Sequence, residues 1–255
     1  SLTMVLASVV PGMKDFQGVS KVYQVKAEDG VVISGDWEYK IYNSYNNTIE
    51  ITKYNGNDTE LKVPETIDGY TVASISQFAI DYESLTTITF PKTIESIGSS
   101  GQEFRKGKNL ISIKVEGSKY GDKYWTDEDG TLYSYYMTHT DQDQTEYTDY
   151  LTLIYCPKAR NSKSYTIDDK VTAIDRDAFA DCYSLEEVKL GNGVQKIEVG
   201  AFTNCTNLTS LDLPKSVKKI GYNAFVRCDK LASYNVAKEN ESYCDVDGVY
   251  TQKIK

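Results

Sequence analysis

Residues 174–231 read IDRDAFADCYSLEEVKLGNGVQKIEVGAFTNCTNLTSLDLPKSVKKIGYNAFVRCDKL. Laid out at a step of 23 residues, whole columns agree. Ile174, Ile197 and Ile220 align, as do Phe179, Phe202 and Phe225. Cys182, Cys205 and Cys228 form a third column, and Leu185, Leu208 and Leu231 a fourth. Val171, Val194 and Val217 stand ahead of each isoleucine. Val188, Leu211 and Tyr234, then Leu190, Leu213 and Val236, close each unit. The positions between the columns are mostly Asp, Glu, Lys, Thr, Ser and Asn. Self-similarity at this period signals a solenoid, in which no unit buries its own apolar edge and stacking does so instead.

Each unit is expected to be one coil. The alternation Val188-x-Leu190 or Leu211-x-Leu213 predicts a short strand with one face inward. Val194-Gln-Lys-Ile197 predicts a second extended segment across the coil. Asp177–Cys182 is too short for a free-standing helix, and a one- to two-turn α or 3₁₀ piece is predicted there. The fold class expected is α/β: a solenoid of short parallel strands, short α/3₁₀ segments and β-hairpin inserts.

The same grammar recurs earlier with drift. Val72-x-x-Ile75, Leu85-x-x-Ile88-x-Phe90-Pro91, Ile94-x-x-Ile97 and Leu110-x-x-Ile113-x-Val115 fit it. Leu85 to Leu110 is 25 residues, so two extra residues are expected in a loop around Ser99–Gly101. Proline follows the strand at Pro64, Pro91 and Pro214, where a missing N–H ends it. Between Val115 and Val171 the period breaks. Asp129-Gly130 between Trp125 and Tyr133 is a hairpin signal, with Tyr150–Pro157 as the returning partner and His139–Thr148 as the tip. Tyr243-Cys-Asp245-Val-Asp247-Gly248-Val-Tyr250 repeats that pattern, and Trp37–Tyr54 reads as a further hairpin around Asn46-Asn47.

The chain divides on this reading into a leader at 1–27, a hairpin cap at 28–60 and a solenoid at 61–255. The solenoid carries a hairpin insert at about 116–165 and a second hairpin, cut short, at about 238–255. The apolar run from Ser1 to Val10, closed by Pro11-Gly12, is expected to be the remnant of a secretion signal, with Val25-Lys26-Ala27 a cleavage pattern.

Five cysteines cannot all pair within the chain. Equivalent side chains on stacked coils point the same way, whereas a disulfide needs converging Cβ vectors; the column is expected to hold buried free thiols. The net charge of −9 and the lack of Lys/Arg runs exclude a nucleic-acid surface. A lone histidine, His139, forbids a two-His zinc site within the chain and must serve any Ser/His/Asp or Cys/His arrangement.

Segment 174–231 resembles tandem leucine-rich repeats of the BspA-like type, written Leu-x-x-Leu-x-Leu-Pro-x-x-Val-x-x-Ile-Gly-x-x-Ala-Phe-x-x-Cys. ITKYNGNDTELKVPETIDGYTVASI (51–75) resembles the usual lead-in to the first repeat of that family. Three departures stand out: Gly191 replaces the proline, Asp175 and Glu198 replace the glycine, and Phe78-Ala79 is out of step. The resemblance implies a leucine-rich-repeat solenoid in a secreted or cell-surface bacterial protein. It further implies adhesion or protein–protein binding without catalysis, no cofactor and no metal.

Exposed positions beside the inward strand residues are the candidate contact surface: Thr87, Thr89, Ser112, Lys114, Glu187, Lys189, Ser210, Asp212, Ser233 and Asn235. Stacked, they form a polar ladder for a protein or glycan ligand, possibly of host origin; a plain solvated strand face has the same pattern. The remaining columns (Phe, Cys, Leu and Ile above) are assigned to the core. The competing reading is a glycan-binding or carbohydrate-acting domain using Glu186, Glu187 and Asp212 as facing carboxylates. Asp127/Asp129 and Asp245/Asp247 supply oxygen ligands of the kind calcium takes, although turn chemistry explains Asp-Gly without metal. No membrane-spanning segment is expected.

Overall fold

The computed structural model describes residues 24–26, 30–98, 100–139, 147–246 and 249–252. The leader at 1–27 thus falls outside the described residues except for the strand Gln24–Lys26. Each 23-residue unit runs once around a shared axis and contributes to three sides of it. The first side is a parallel ladder in two blocks. One joins Glu60–Lys62, Thr87–Phe90 and Ser112–Val115. The other joins Ser164–Thr166, Glu187–Lys189, Ser210–Leu213 and Ser233–Val236. The second side is a ladder of very short strands. Ala173–Ile174, Lys196–Ile197 and Lys219–Ile220 follow Tyr147–Tyr155 in parallel register. Tyr70–Ile75 and Ser96–Ile97 likewise follow Thr48–Tyr54.

The third side corrects the α/β expectation. Asp177–Cys182 is not helical, because its backbone alternates between two partners. The amides of Asp177, Phe179 and Asp181 donate to the carbonyls of Val199, Ala201 and Thr203 on the next coil, at 3.2, 2.7 and 2.8 Å. The amides of Ala178, Ala180 and Cys182 close local turns three residues back. One coil on, Gly200, Phe202 and Asn204 donate to Tyr222, Ala224 and Val226 in the same way. This alternation needs two left-handed residues per coil: Asp177, Gly200 and Asn223 at φ 57°, 68° and 56°, and Asp181, Asn204 and Arg227 at 63°, 62° and 59°. Right-handed helix cannot pass through such positions, and five of these six are Asp, Asn or Gly, the residues that tolerate them best; Arg227 is the exception. The fold is therefore a β-solenoid with almost no helix. Among the described residues the one helix is a 3₁₀ segment, Ser100–Lys106, where the coil carries its two extra residues.

The apparent slip at Phe78 has the same cause. Counted from Ile75, Phe78 occupies the left-handed slot of Asp177, with φ 61° and 72% of its surface exposed. Ala79 and Ile80 then fall in the Ala178 and Phe179 places, and both are buried. That coil is one residue shorter before Leu85.

Two cores result, and the hairpin Leu132–His139/Tyr147–Tyr155 lies between them. Its side chains divide between the two cores, with a β-bulge at Ile154 opposite Leu132/Tyr133. Leu132, Ile154 and Tyr155 pack with Phe104 in the N-terminal core, whereas Tyr133, Leu151 and Leu153 pack with Phe179 in the C-terminal one. The segment expected as an insert is thus also a partition. Its last strand starts the second ladder of the C-terminal block, just as Thr48–Tyr54, paired with Trp37–Asn43, starts that of the N-terminal block. A hairpin in that position covers an edge that would otherwise offer unpaired backbone groups. A further hairpin pairs Tyr243–Val246 with Val249–Gln252.

Inside the C-terminal core the aromatic column is a stack. Phe179, Phe202 and Phe225 follow one another at centroid separations of 4.9 and 5.4 Å, with planes 9° and 14° apart. Ile174, Ile197, Cys182, Cys205, Leu185 and Leu208 are buried with them, while Ile220, Cys228 and Leu231 on the last coil are partly buried. All five cysteines are free. The column position suits cysteine because the thiol is small, apolar and able to donate. Cys205 and Cys228 each donate Sγ–H to the carbonyl of the preceding coil's phenylalanine, Phe179 and Phe202, at 3.1 Å.

Candidate functional site

The strand ladder fixes where each predicted surface residue lies. Glu187, Ser210 and Ser233 stand in one row in register with Ser164. Lys189, Asp212 and Asn235 stand in the second row with Thr166. Thr87 and Ser112 align with Glu60, and Thr89 and Lys114 with Lys62. Glu60, Lys62, Lys114, Ser164, Thr166, Glu187, Lys189, Asp212 and Asn235 are exposed, and Thr87, Thr89, Ser112, Ser210 and Ser233 are half-buried. The ladder therefore has four members absent from the sequence reading: Glu60, Lys62, Ser164 and Thr166. Stepping back 23 residues from Val188 and Leu190 lands on Tyr165 and Ile167, so the signal for the Ser164 strand was present.

The ladder is two surfaces. Beyond Ser112–Val115 the turn of the insert closes the edge, with the Ile113 amide donating to the Gly130 carbonyl at 3.2 Å. Under that turn lies a buried polar knot. The Tyr165 hydroxyl donates to Asp127 Oδ2 at 2.8 Å and Tyr133 donates to the same oxygen at 3.1 Å, while the Thr131 amide donates to Oδ1 at 2.8 Å. Burial holds both tyrosine hydroxyls far above their ordinary range, helped next by Asp127 at Tyr133 and by Tyr133 at Tyr165. Asp129 pairs with Arg160 at 2.6 Å. Both aspartates are thus engaged by protein donors, and no group of three metal-ligating side chains occurs among the described residues. Asp247 lies outside the described residues.

The register sets Glu187 and Asp212 diagonally on adjacent strands, not directly opposite one another. Glu187 faces Ser210, Asp212 faces Lys189, and Glu186 is held by Lys163 at 2.9 Å. His139 pairs across the hairpin with Tyr147, and its side chain is outside the described part.

An open groove of about 630 Å³ runs along the second row of the C-terminal block, between the strand ends and the turns that follow them. Half-buried Pro214, Val236 and Ala237 give its apolar lining above the buried Ile167, Leu190 and Leu213, and Asp168, Asp169, Lys189, Asp212, Asn192 and Asn235 stand around it. Its shape depends on glycine. A Cβ on Gly191 would lie 2.4 Å from the Asp168 carbonyl oxygen, and one on Gly193 would lie 2.0 Å from that of Asp169. The place that elsewhere holds proline is glycine here because two turns pack backbone against backbone. The carboxylates are oriented: Asp169 Oδ1 accepts from the Asn192 amide at 2.7 Å, Asp168 Oδ1 from the Lys170 amide at 2.8 Å, and Asp212 Oδ1 from Asn235 Nδ2 at 2.7 Å.

The profile of the BspA type leucine rich repeat region matches in six copies over residues 41–124 and 155–245. The chain belongs to the BspA-type leucine-rich-repeat family. Among solved structures it is similar to a leucine rich cell surface protein from Faecalibacterium prausnitzii, with 25% identity, TM-score 0.57, and coverage of 88% of this chain and 58% of that one. It is also similar in fold to leucine-rich repeat proteins from Eubacterium ventriosum (18% identity, TM-score 0.50, 80% and 71% covered) and Bacteroides ovatus (22%, 0.50, 80% and 52%). The chain spans under two thirds of the length of the Faecalibacterium protein. No curated protein matches it. Among the described residues no helix is long and apolar enough to cross a membrane.

Proposed function

We propose that this BspA-type repeat chain is an exported, non-catalytic interaction module of a bacterial cell surface, recognising a protein partner in adhesion through its outward ladder. One observation carries this reading. The second row of the C-terminal block opens into a groove whose polar rim is held in place by side-chain contacts from one coil to the next. Rim groups fixed before binding lose little entropy when a partner arrives. The engagement of Glu186 by Lys163 and of Asp212 by Asn235 favours recognition over hydrolysis, and the cell-surface description of the Faecalibacterium relative supports the location.

The test is a binding screen of the purified chain against extracellular matrix proteins and a glycan panel, with Glu187→Ala/Asp212→Ala as the control. A protein hit weakened by the double substitution is expected. Silence across the panel, or binding indifferent to the substitution, would contradict the reading; a glycan hit would favour the competing one.

A further inference from the structure

We infer that Cys156 and Cys182 are a redox-active pair that closes to a disulfide in oxidising surroundings. The surroundings, not the pairing, rest on the exported location just proposed. The first argument is position. Stepping back 23 residues from Phe179 lands on Cys156. The Cys156 amide donates to the Ala178 carbonyl at 2.8 Å, as Phe179 and Phe202 donate to Ala201 and Ala224 at 2.7 Å. Cys156 therefore stands in the phenylalanine column, and Cys182 in the thiol column one coil on. Stacked thiols of a single column point the same way, which opposes bridging. These two come from different columns and converge on one small cavity, with Cys182 Sγ 3.8 Å from the Cys156 carbonyl oxygen.

The second argument is room. Later coils carry phenylalanine in this column and Val188 or Leu211 in the strand that follows; this coil carries Cys156 and Tyr165. The Tyr165 ring takes the space, edge-on to Phe179 at a centroid separation of 5.4 Å. A void of about 10 Å³ remains, bounded by Cys156, Arg160, Tyr165, Cys182 and Leu185. Close packing resists side-chain rotation elsewhere in the core, but beside this void the two thiols can turn toward each other. The hydrogen bond given up is also the weak one. Cys182 donates at 3.8 Å, whereas Cys205 and Cys228 donate at 3.1 Å.

The third argument is charge. Arg160 is held by Asp129 at 2.6 Å and lies over the Tyr165 ring at 5.0 Å. Its Nη1 is buried and has no hydrogen-bond partner among the described residues. A guanidinium N–H bordering the void is placed to hold the thiolate through which disulfide exchange proceeds.

The oxidant is a small-molecule disulfide. One thiolate of the pair attacks it, forming a mixed disulfide and expelling a thiolate. The second protein thiolate attacks that mixed disulfide, closes Cys156–Cys182 and expels the other. The protein loses two electrons and two protons, and the reagent leaves as two thiols. Both cysteines are buried, so the reagent reaches them when the cover at 157–162 opens locally.

The test holds the whole reduced chain in excess oxidised glutathione, then blocks remaining thiols with N-ethylmaleimide and maps the peptides by mass spectrometry. A parallel arm refolds the chain from urea in the same buffer, where access is not limiting. A peptide joining Cys156 to Cys182 is expected, with both residues lost from the blocked fraction and regained after dithiothreitol. Bridging should raise the urea midpoint of the wild type and leave that of Cys156→Ser unchanged. If Cys156→Ser does not fold, the wild-type peptide map decides alone. A bridge within the thiol column, glutathione adducts without a bridge, a bridge that lowers the midpoint, or both thiols free in both arms would overturn the inference. If no bridge forms while the screen yields a protein partner, the recognition role stands and this inference falls. A bridge with a silent screen leaves the pair standing and defeats that role.

Discussion

The thiol of Cys205 donates to the carbonyl oxygen of Phe179, 3.1 Å away on the preceding coil. The contact joins the two most regular columns of the sequence. It also gives cysteine a role that neither alanine nor valine can fill, because the thiol adds a second donor to a carbonyl that already accepts from the Cys182 amide at 3.2 Å. Cys205→Ala is expected to cost about 1–3 kcal/mol from the void and the lost second hydrogen bond to a carbonyl that keeps the Cys182 amide. Cys205→Val, which restores volume without a donor, should recover only part of that loss in urea midpoint. Full recovery would mean that the hydrogen bond contributes nothing.

The thiols should differ in reactivity. The contact with Cys228, and then burial, pushes the Cys205 thiol well up, while the reciprocal contact with Cys205 brings the Cys228 thiol down. Cys182 is also pushed up, by its contact with Cys156 and by burial. Alkylation of the folded chain near neutral pH, followed by peptide mass spectrometry, should therefore modify Cys228 well before Cys182 or Cys205. Equal labelling of all three would mean that the column is open to solvent.

Phe202 sits in the middle of the ring stack with no exposed surface. Truncation to alanine should cost roughly 3–5 kcal/mol through the cavity between coils. Chemical denaturation gives the number directly, and a midpoint scarcely displaced would place that ring outside the core.

The left-handed column makes an asymmetric forecast. Gly200→Val forces a branched side chain into φ +68°, with its Cβ 2.5 Å from Asp177 Oδ1. Backbone strain alone costs about 1–2 kcal/mol. Asn223→Gly, at the equivalent place one coil on, should leave the midpoint nearly unchanged. Thermal unfolding of the pair would reveal whether the slot needs its conformation or its side chain.

At the joint between the cores, Lys158 Nζ lies 3.3 Å from Asp181 Oδ2 and also donates to the Arg105 carbonyl. Burial disfavours the Asp181 carboxylate, but donation from Asn204 and the charge of Lys158 outweigh it and hold its pKa below the ordinary value. The unfolded pKa is about 3.9, so the stabilisation is present above it and is lost as pH falls through the lower folded value. Asp177, raised by burial against the pull of Arg105, works in the opposite sense. Asp181→Asn keeps a residue suited to φ +63° and should cost about 3 kcal/mol at pH 7 by stranding the buried lysine. It should also flatten the fall of urea midpoint as pH drops below about 4, the unfolded carboxylate value. An unchanged acid limb would exclude the pair as its cause.

The period, the inward columns and the strand ladder were all legible, because a 23-residue step puts chemically alike residues in one place. The turn at Asp177–Cys182 was misread because its length and Ala-Phe core look helical. The contrary signal, Asp, Gly or Asn at five of the six left-handed positions of these coils, is a backbone property that hydrophobic periodicity does not reveal. Glu60 and Ser164 were missed where drift and the insert hid the column. The groove was not legible, since it arises from how closely the Gly191–Gly193 turn approaches Asp168–Asp169.

Hydrogen–deuterium exchange on the chain, alone and saturated with the protein partner recovered from the screen, locates the contact most directly. Added protection is expected at 164–169, 187–192, 210–214 and 233–237, with the hairpins at 37–54 and 132–155 unchanged. Protection confined to the hairpins, with the ladder exchanging as in the free chain, would contradict the assignment of recognition to the strand face.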